Sequence, residues 1–353
     1  MYVENVNLFS FRNYEKEEIE FSREGNIIIG ENGSGKTSVL EAIYFLSFGK
    51  SFKTFTDKNL IKKGNEKAII KGNFKTGEKE LSILFEIDKT SKEFYVNKRR
   101  EKNRENLLSK IKVINSSNED RNIINGEPEK RRNFIDGEIF SKKASYYNTL
   151  LKYKKCLKSR NVLLKESRKI FEIEIWDKFL TELGIEIMEE RKNEIIKKQK
   201  AAKKIYRKLG GEELEILYKP NIESKKNREE QKKEIVKVLK NNIKKDMEIG
   251  STEKGPHKDE IKILINDKEA KEYASNGQKK LAVIALKLAE KEIIEEKNEK
   301  PIILLDDIFS EIDDKKRKKI LNFIKGNQYI ITATKIFEND EEKIINIKNG
   351  KDV

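Results

Sequence analysis

The chain contains very few of the residues that build disulfides and histidine-based sites. Among its 353 residues there is one cysteine, Cys156, and one histidine, His257. A single cysteine excludes an internal disulfide framework and a cysteine-built zinc site, and a single histidine excludes a histidine-rich metal site. The same scarcity disfavours histidine-based nucleophilic machinery, and we interpret His257 as a structural loop residue.

Long apolar runs are also missing. No segment approaches the roughly 18 apolar residues of a membrane span, and the opening MYVENVNLFS lacks the form of a signal peptide. We therefore expect a cytoplasmic protein. The length fits two or three domains of ordinary size.

Positive charge is in excess and unevenly distributed. The chain has 77 Lys and Arg against 62 Asp and Glu, a formal net charge of +15, which favours polyanionic partners. Residues 141–210 alone carry 20 basic and 9 acidic side chains. The alternative is a solvated helical face in a chain that is rich in Lys, Ile, Asn and Glu throughout. We predict contacts to the phosphates of a nucleic acid from Lys152, Lys155, Arg160, Lys203, Lys204 and Arg207.

The octapeptide GENGSGKT at residues 30–37 has the pattern G-x-x-x-x-G-K-T. Its glycines let backbone N–H groups turn toward phosphate oxygens, and a helix beginning near Gly35 adds its positive end. In such a loop Lys36 reaches the β- and γ-phosphates, and the Thr37 hydroxyl ligates Mg²⁺. The apolar run before the loop and the amphipathic pattern after it make a chance Gly-rich turn the weaker interpretation.

The secondary-structure signals divide the chain into three stretches. Residues up to about 118 are predicted as strands and turns around one helix at 36–47, and strand-and-turn character returns from residue 251. From about residue 128 to 208, apolar residues at helical spacing predict long charged helices, interpreted as an antiparallel pair. The predicted fold is α/β, with an ATPase head formed by both chain ends (residues 1–118 and 252–353). Residues 119–251 are predicted as an inserted, mainly helical and basic lid or DNA-binding domain.

The segment PIILLDD at residues 301–307 is an apolar strand that ends in two carboxylates. In nucleotide-binding folds the first, Asp306, holds Mg²⁺, and the second, Asp307, orients or deprotonates the attacking water. The alternative is a buried strand with a solvated acidic end, which the presence of a P-loop disfavours.

A second candidate anion site lies where a long helix is predicted to begin, near Gln278. Ser275 and the backbone N–H groups around Gly277 meet the positive end of that helix. One subunit needs only one phosphate cradle, so a second one, 31 residues before Asp306, is interpreted as a contact to ATP held by another copy. The alternative is an ordinary serine N-cap.

Seven segments, in order over nearly the whole chain, carry a family resemblance. They are FRNY (11–14), GENGSGKTSVLEAIYFLSFGKSFKT (30–54), GEPEKRRNFID (126–136), YNTLLKYKKCLKSRNVLLK (147–165), GPHKDEI (255–261), SNGQKKLAVIALKLAE (275–290) and LLDDIFSEID (304–313). With these motifs the chain resembles the SMC/RecF-like group of ABC-type P-loop NTPases.

The resemblance implies an ATP-dependent DNA-binding repair protein that closes into a homodimer around ATP and Mg²⁺. It would bind duplex and gapped DNA and help load recombinase at single-strand gaps and stalled forks, in recombinational repair, replication and the SOS response. ATP hydrolysis would be weak and DNA-stimulated and would act as a release switch. RecR and RecO-type mediator proteins would be its partners.

The resemblance also assigns site residues. The signature would be Ser275, Gly277 and Gln278, and the D-loop would include Glu311 and Asp313. Catalytic roles would fall to Lys36, Asp306, Asp307 and Ser275, and the metal ligands would be Thr37 and Asp306. The nucleotide would contact Arg12, Gly30, Glu31, Asn32, Gly33, Ser34, Gly35, Lys36, Thr37 and Ser38.

Three positions depart from the family pattern. Asp307 stands where most ABC-type ATPases have Glu, a shorter reach that fits slow turnover. No Q-loop glutamine is evident near INSSNED, where Asn118 lies. The last strand is followed by TATK without a histidine, so sensing of the γ-phosphate would fall to Thr332 or Thr334.

Three other classes of protein were considered. A coiled-coil SMC protein needs arms of hundreds of residues, which this insertion cannot supply. The nucleotide-binding subunit of a membrane transporter would carry a switch histidine and a Q-loop glutamine. An ATP-binding scaffold of the same fold without significant hydrolysis stays open, because Asp307 is only a plausible base.

Overall fold

The computed structural model describes residues 1–54, 56–102, 107, 110–166, 170–310, 312–334, 342–348 and 351–352. Two compact units divide the chain. The first consists of Met1–Asp120, Arg207–Gly210 and Ile284–Val353, and the second of Arg121–Tyr206 and Gly211–Val283. Among the described residues, no helix combines the length and apolar character needed to cross a bilayer.

An antiparallel sheet of six strands occupies the N-terminal part of the first unit, in the order β2-β1-β4-β5-β6-β7. Buried and exposed residues alternate along its strands, as expected for a sheet with one face on the core. Gly72 lies against Leu46, where a Cβ would come within 2.5 Å. The strands are β1 (Tyr2–Phe11), β2 (Tyr14–Glu20), β4 (Lys67–Thr76), β5 (Lys79–Asp88), β6 (Lys92–Val96) and β7 (Arg99–Glu101).

A second six-stranded sheet has the order β15-β14-β3-β13-β12-β8 and is parallel from β14 to β8. Its central strands are almost wholly buried, which explains their uninterrupted apolar sequences. Sequence analysis did not predict β8 or β14. The strands are β3 (Gly25–Ile29), β8 (Val113–Ser117), β12 (Ile302–Asp306), β13 (Tyr329–Ala333), β14 (Lys343–Lys348) and β15 (Lys351–Asp352).

Helix α1 (Lys36–Phe48) follows β3 after the glycine-rich loop. It ends at Gly49, whose backbone is left-handed (φ 58°) and whose N–H donates to Phe45 O, a common glycine termination. The prediction of residues 36–47 is therefore correct to within one residue.

The second unit is mainly helical, and its first part contains three successive helices rather than an antiparallel pair. They are α3 (Pro128–Lys142), α4 (Ala144–Lys165) and α5 (Ile170–Leu209), after the short α2 (Asn122–Asn125). The chain continues through β9 (Leu214–Lys219), α6 (Arg228–Ile249), β10 (Glu260–Ile265), β11 (Lys268–Glu269) and α7 (Ala270–Tyr273).

The last part of the second unit differs from the predicted domain limits. Strand β10 pairs antiparallel with β9 over six residue pairs, which associates residues 252–283 with the helical unit rather than with the head. Helix α8 (Asn276–Glu295) runs across the boundary at 283 and 284. Helix α9 is Asp314–Ile324.

Arg160 of α4 is the centre of a buried ion-pair network. Its side chain is 0% exposed, and its guanidinium donates to Asp177 Oδ1 at 2.6 Å, Asp246 Oδ2 at 2.7 Å and Thr252 Oγ1 at 2.9 Å. The prediction that Arg160 contacts DNA is therefore wrong, because the side chain is fully removed from solvent. A buried cation keeps its charge only with such partners.

The loop around His257 belongs to a second buried network. Arg191 donates to Asp136 and Asp259, and Asp259 also accepts from the Tyr218 hydroxyl. His257 Nε2 donates to Thr252 O at 2.8 Å, and its Nδ1 accepts from the Tyr153 hydroxyl at 2.8 Å. These two bonds require the neutral ring, and burial lowers the pKa of His257 to about 4.

We predict that His257 makes stability pH-dependent. In the unfolded state this histidine has a pKa near 6.5 and is protonated below that pH. In the folded state it is protonated only when the pH falls to about 4. This contribution is present in full above about pH 6.5 and is lost as the pH falls toward 4. Urea unfolding should show a loss of about 2 kcal/mol between pH 7 and pH 5 that His257→Gln lacks. Equal pH dependence in both proteins would contradict a neutral buried ring.

Candidate nucleotide-binding site

The loop between β3 and α1 turns through two glycines with left-handed backbone. Gly33 has φ 84° and Gly35 has φ 117°, a region that residues with side chains rarely adopt. A Cβ on Gly35 would lie 2.7 Å from Asn13 Nδ2. Asn13 Nδ2 in turn donates to Ser34 O at 2.9 Å, so the turn between β1 and β2 supports the loop. Sequence analysis did not assign this role to Asn13, although it adjoins Arg12 in FRNY.

Lys36, the first residue of α1, reaches back across the loop. Its Nζ donates to Gly30 O at 2.6 Å and to Glu31 O at 2.8 Å. Burial lowers the pKa of Lys36, while the nearby carboxylates of Asp307 and Asp306 act in the opposite direction. A positive charge thus lies beside the loop that the glycines shape, as the binding of a phosphate chain requires.

Asp306 joins the P-loop helix to two strands of the parallel sheet. Thr37 Oγ1 donates to Asp306 Oδ1 at 2.9 Å, and Thr332 Oγ1 donates to the same oxygen at 2.8 Å. In the sheet register Asp306 is paired with Thr332 on β13 and with Ser117 on β8. The hydroxyl of Thr37 and the carboxylate of Asp306 are oxygen ligands of the kind that Mg²⁺ prefers. The donor set therefore fits the predicted metal.

Asp307 is held in an unusual backbone conformation by its neighbours. Its φ is 53°, its N–H donates to Thr332 Oγ1 at 2.9 Å, and its Oδ2 accepts from Asn118 Nδ2 at 3.2 Å. Asn118 Oδ1 is buried and has no hydrogen-bond partner among the described residues. Asn118 follows the last residue of β8, so the strand order brings it to the carboxylates although no glutamine is present there.

Arg12 has a left-handed backbone (φ 56°) and a firmly held side chain. Its guanidinium donates to Glu41 Oε2 at 2.8 Å and to Glu41 Oε1 at 2.5 Å, and Glu41 is fully buried on α1. A third bond runs from Arg12 to Asn59 O at 2.8 Å. The sequence assigned no role to Glu41, although it lies in the segment 30–54, or to Asn59, which lies in none of the seven segments.

These groups surround a cavity of about 630 Å³, within the usual range for small-molecule sites. Nine predicted site residues line it: Arg12, Asn32, Gly33, Gly35, Lys36, Thr37, Ser38, Asp306 and Asp307. Seven further residues also line it: Asn13, Lys53, Asn59, Ile61, Asn118, Thr332 and Thr334. Among the other predicted loop residues, Gly30 and Glu31 accept from Lys36, and the buried Ser34 Oγ has no hydrogen-bond partner among the described residues.

The predicted signature residues form an exposed N-cap and do not line this cavity. Ser275 N donates to Gln278 Oε1 at 2.9 Å, and Gln278 N donates to Ser275 Oγ at 3.2 Å, a reciprocal capping box. Gly277 has no left-handed φ, and a Cβ there would meet nothing within 4 Å. The fold of this chain therefore does not itself require a glycine at 277.

The predicted D-loop is described only in part. Asp313 is the N-cap of α9, where its Oδ1 accepts from Lys316 N at 2.9 Å, and hydrogen bonds from Lys316 lower the pKa of Asp313. Glu311 lies outside the described residues.

A P-loop lies between a buried strand and a helix, and a carboxylate lies on a parallel strand two places away in the sheet. This arrangement defines the nucleotide-binding head of a P-loop NTPase. Comparison with known proteins narrows this class. The sequence pattern described as the RecF/RecN/SMC N terminal domain matches residues 2–133. DNA replication and repair protein RecF of Clostridium botulinum is 38% identical over 99% of both chains. The corresponding protein of Alkaliphilus oremlandii is 37% identical over 95% of this chain and 93% of its own.

Solved structures agree with the sequence comparisons. The recombination mediator protein RecF-ATPrS of the RecFOR pathway has a TM-score of 0.92 and 33% identity, over 99% of this chain and 97% of its own. An Smc head bound to the C-winged helix domain of ScpA, at 20% identity over 100% of this chain and 98% of its own, has a TM-score of 0.58 and shows the fold alone. The chain belongs to the RecF family of DNA replication and repair proteins, and its fold is that of an SMC/RecF-like ABC ATPase head.

We predict that Lys36→Ala weakens ATP binding at least tenfold, about 1.4 kcal/mol or more, because it removes the charge that faces the phosphates. Lys63→Ala, which removes an exposed lysine elsewhere in the first unit, is the matched control and should bind ATP as the wild type does. Equilibrium titration with a fluorescent ATP analogue measures both. Unchanged affinity in Lys36→Ala would remove this lysine from the nucleotide site.

Proposed function

We propose that the protein binds ATP with Mg²⁺ in the cavity beside the P-loop, dimerises on ATP and then binds duplex and gapped DNA. In this role it helps load recombinase at single-strand gaps and stalled forks during recombinational repair, replication and the SOS response, together with RecR and RecO-type mediators. The hydrogen bond between Thr37 and Asp306 carries the proposal, since it joins the two motifs that an ATP–Mg²⁺ site needs. A family member solved as RecF-ATP supports the choice of nucleotide.

The roles of the site residues follow from their positions. Lys36 and the loop backbone from Gly30 to Ser38 would hold the phosphates, with Arg12 beside them. Thr37 and Asp306 would ligate Mg²⁺, which when bound offsets phosphate charge and orients the β- and γ-oxygens. Asp307 would orient the attacking water, and its bond from Asn118 fixes the carboxylate for this purpose.

Hydrolysis in this proposal is slow, DNA-stimulated and used for release. The side chain of Asp307 is shorter than that of a glutamate, which restricts its reach toward a water molecule. An ATP-binding scaffold without significant hydrolysis is the alternative. Single-turnover hydrolysis measured with and without DNA separates the two.

Dimerisation rests on the beginning of α8. The Ser275 hydroxyl accepts from Gln278 N, and its own hydrogen can be donated to a further acceptor. A Cβ at Gly277 would meet no atom of the described residues within 4 Å, so the space beside Ser275 is open. A γ-phosphate brought by a second copy would meet a hydroxyl, free backbone N–H groups and a positive helix end there. Asp313, exposed at the start of α9, would lie in the same interface as part of the D-loop.

We predict that Ser275→Arg abolishes ATP-dependent dimerisation and leaves ATP binding by the monomer nearly intact, because a bulky side chain blocks the facing phosphate. Ser224→Arg, at another exposed serine, controls for the added charge and size and should dimerise normally. Sedimentation with ATP, with ADP and without nucleotide gives the readout. A Ser275→Arg protein that still dimerises with ATP would refute the signature role.

DNA contact in the helical unit is proposed for the exposed face of α4. This helix contains no acidic residue, and Lys152, Lys155 and Lys158 are exposed. Such lysines neutralise phosphates without reading bases. Lys203, by contrast, is paired with Glu213, and Arg207 falls in the first compact unit.

We predict that Lys152→Glu, Lys155→Glu and Lys158→Glu together weaken DNA binding at low salt at least tenfold, because three phosphate contacts become repulsive. Reversal of Lys63, Lys297 and Lys325, which are also exposed, changes the net charge equally and serves as control. Fluorescence anisotropy with a labelled duplex compares the two variants. Equal losses would mean that only the total charge matters and that α4 is a solvated face.

A further inference from the structure

Helix α6 (Arg228–Ile249) carries a straight row of lysines that sequence analysis did not single out. Lys233, Lys237, Lys240 and Lys244 are separated by four, three and four residues, so they lie on one face of the helix. All four are exposed. We call them the α6 lysine row.

On the same helix, carboxylates lie near the two ends of the α6 lysine row, Glu229 and Glu230 before Lys233 and Glu248 after Lys244. No ion pair joins any of its four ammonium groups to the part of the chain that the structure describes. Other cations of the same helix are paired, Lys232 with Glu182 and Arg228 with Glu189. The four lysines of the row thus differ from Lys232 and Arg228 in having no ion-pair partner among the described residues.

The geometry of the row is that of a linear anion site. At a rise of about 1.5 Å per residue, the 11 steps from Lys233 to Lys244 cover about 16 Å. Along one DNA strand, phosphates recur about every 3.4 Å of axis, so this length corresponds to about five of them. Flexible lysine side chains can each reach one of these phosphates.

The surroundings of the row exclude two other occupants. A helix that binds a lipid surface inserts its apolar face, but Ile235, Leu239 and Ile243 of α6 are buried within the protein. A protein partner would need an apolar or aromatic anchor, and interface centres are depleted in lysine. Val236 is the single large apolar side chain recorded as exposed within this stretch.

We propose that the α6 lysine row is a second nucleic-acid backbone contact of the helical unit, separate from the lysines of α4. It holds phosphates in register along the helix axis without reading bases. This inference rests on the proposed DNA-binding function and adds the surface and the mode of contact. Its partner is a polyanion with regularly spaced phosphates.

The test neutralises the row in the full-length protein. Lysine and glutamine have similar helix propensities, so Lys233→Gln, Lys237→Gln, Lys240→Gln and Lys244→Gln together should keep α6 folded. Affinity for a labelled duplex, with ATPγS present, is measured between about 50 and 200 mM salt. We expect the slope of log affinity against log salt to become shallower by about 3, because up to four phosphate contacts are lost at about 0.9 each.

Two matched variants complete the experiment. Arginine at the same four positions keeps the charges and should retain the wild-type slope. Glutamine at Lys63, Lys297, Lys325 and Lys348, exposed lysines of the first unit, removes the same net charge and should change the slope by less than 1.

The outcomes distinguish failure of the proposed DNA-binding function from failure of the inference about the α6 lysine row. A wild type that fails to bind DNA with ATPγS refutes the proposed function. A wild type that binds, with equal slopes in the α6 glutamine variant and the scattered control, refutes the row and leaves the proposed function standing. Loss of binding in the arginine variant would also refute it, because phosphate contacts tolerate either cation.

Discussion

The carboxylate of Asp306 is the group on which the organisation of the head depends. One of its oxygens accepts from Thr37 on the P-loop helix and from Thr332 on β13, and the register of the parallel sheet places Asp306 beside Thr332. Because an ionised carboxylate accepts hydrogen bonds strongly, this one residue connects the loop, the helix and two strands. Asp307 and Asn118 then follow at the same edge of the sheet.

The helical unit uses its charges in two different ways. Arg160 and Arg191 are buried and bonded to Asp177, Asp246, Asp136 and Asp259. Removing either arginine would leave two buried carboxylates without their cation, so each arginine fixes the packing of the helices that carry its partners. The exposed lysines of α4 and α6 meet no such constraint. A count of charges along the sequence adds both kinds together, although only the second kind can meet a polyanion.

The nucleotide site and the predicted signature differ in how far their polar groups are bonded within the chain. Around the cavity, most polar groups already have partners within the chain, which keeps the site in place before a nucleotide enters. At the beginning of α8 there is room for a further contact, because a Cβ at Gly277 would meet no atom within 4 Å. The capping box uses the Ser275 hydroxyl as an acceptor and leaves its hydrogen available to donate. If the beginning of α8 meets the nucleotide of a second copy, as proposed, the open surface there would let the nucleotide control association.

The sequence by itself determined the contiguous features: the P-loop, the strand that ends at Asp306, helix α1 and the family. These are local, because turn chemistry, apolar periodicity and capping act over a few residues. Only the tertiary structure decided which distant residues meet, because no local sequence pattern specifies the order of the strands in a sheet. It brought Asn118 to Asp307 and Glu41 to Arg12, and it associated residues 252–283 with the helical unit through β9 and β10. It also buried Arg160 while leaving Lys152 and Lys155 exposed, because exposure depends on what packs against a helix face and not on the residue type.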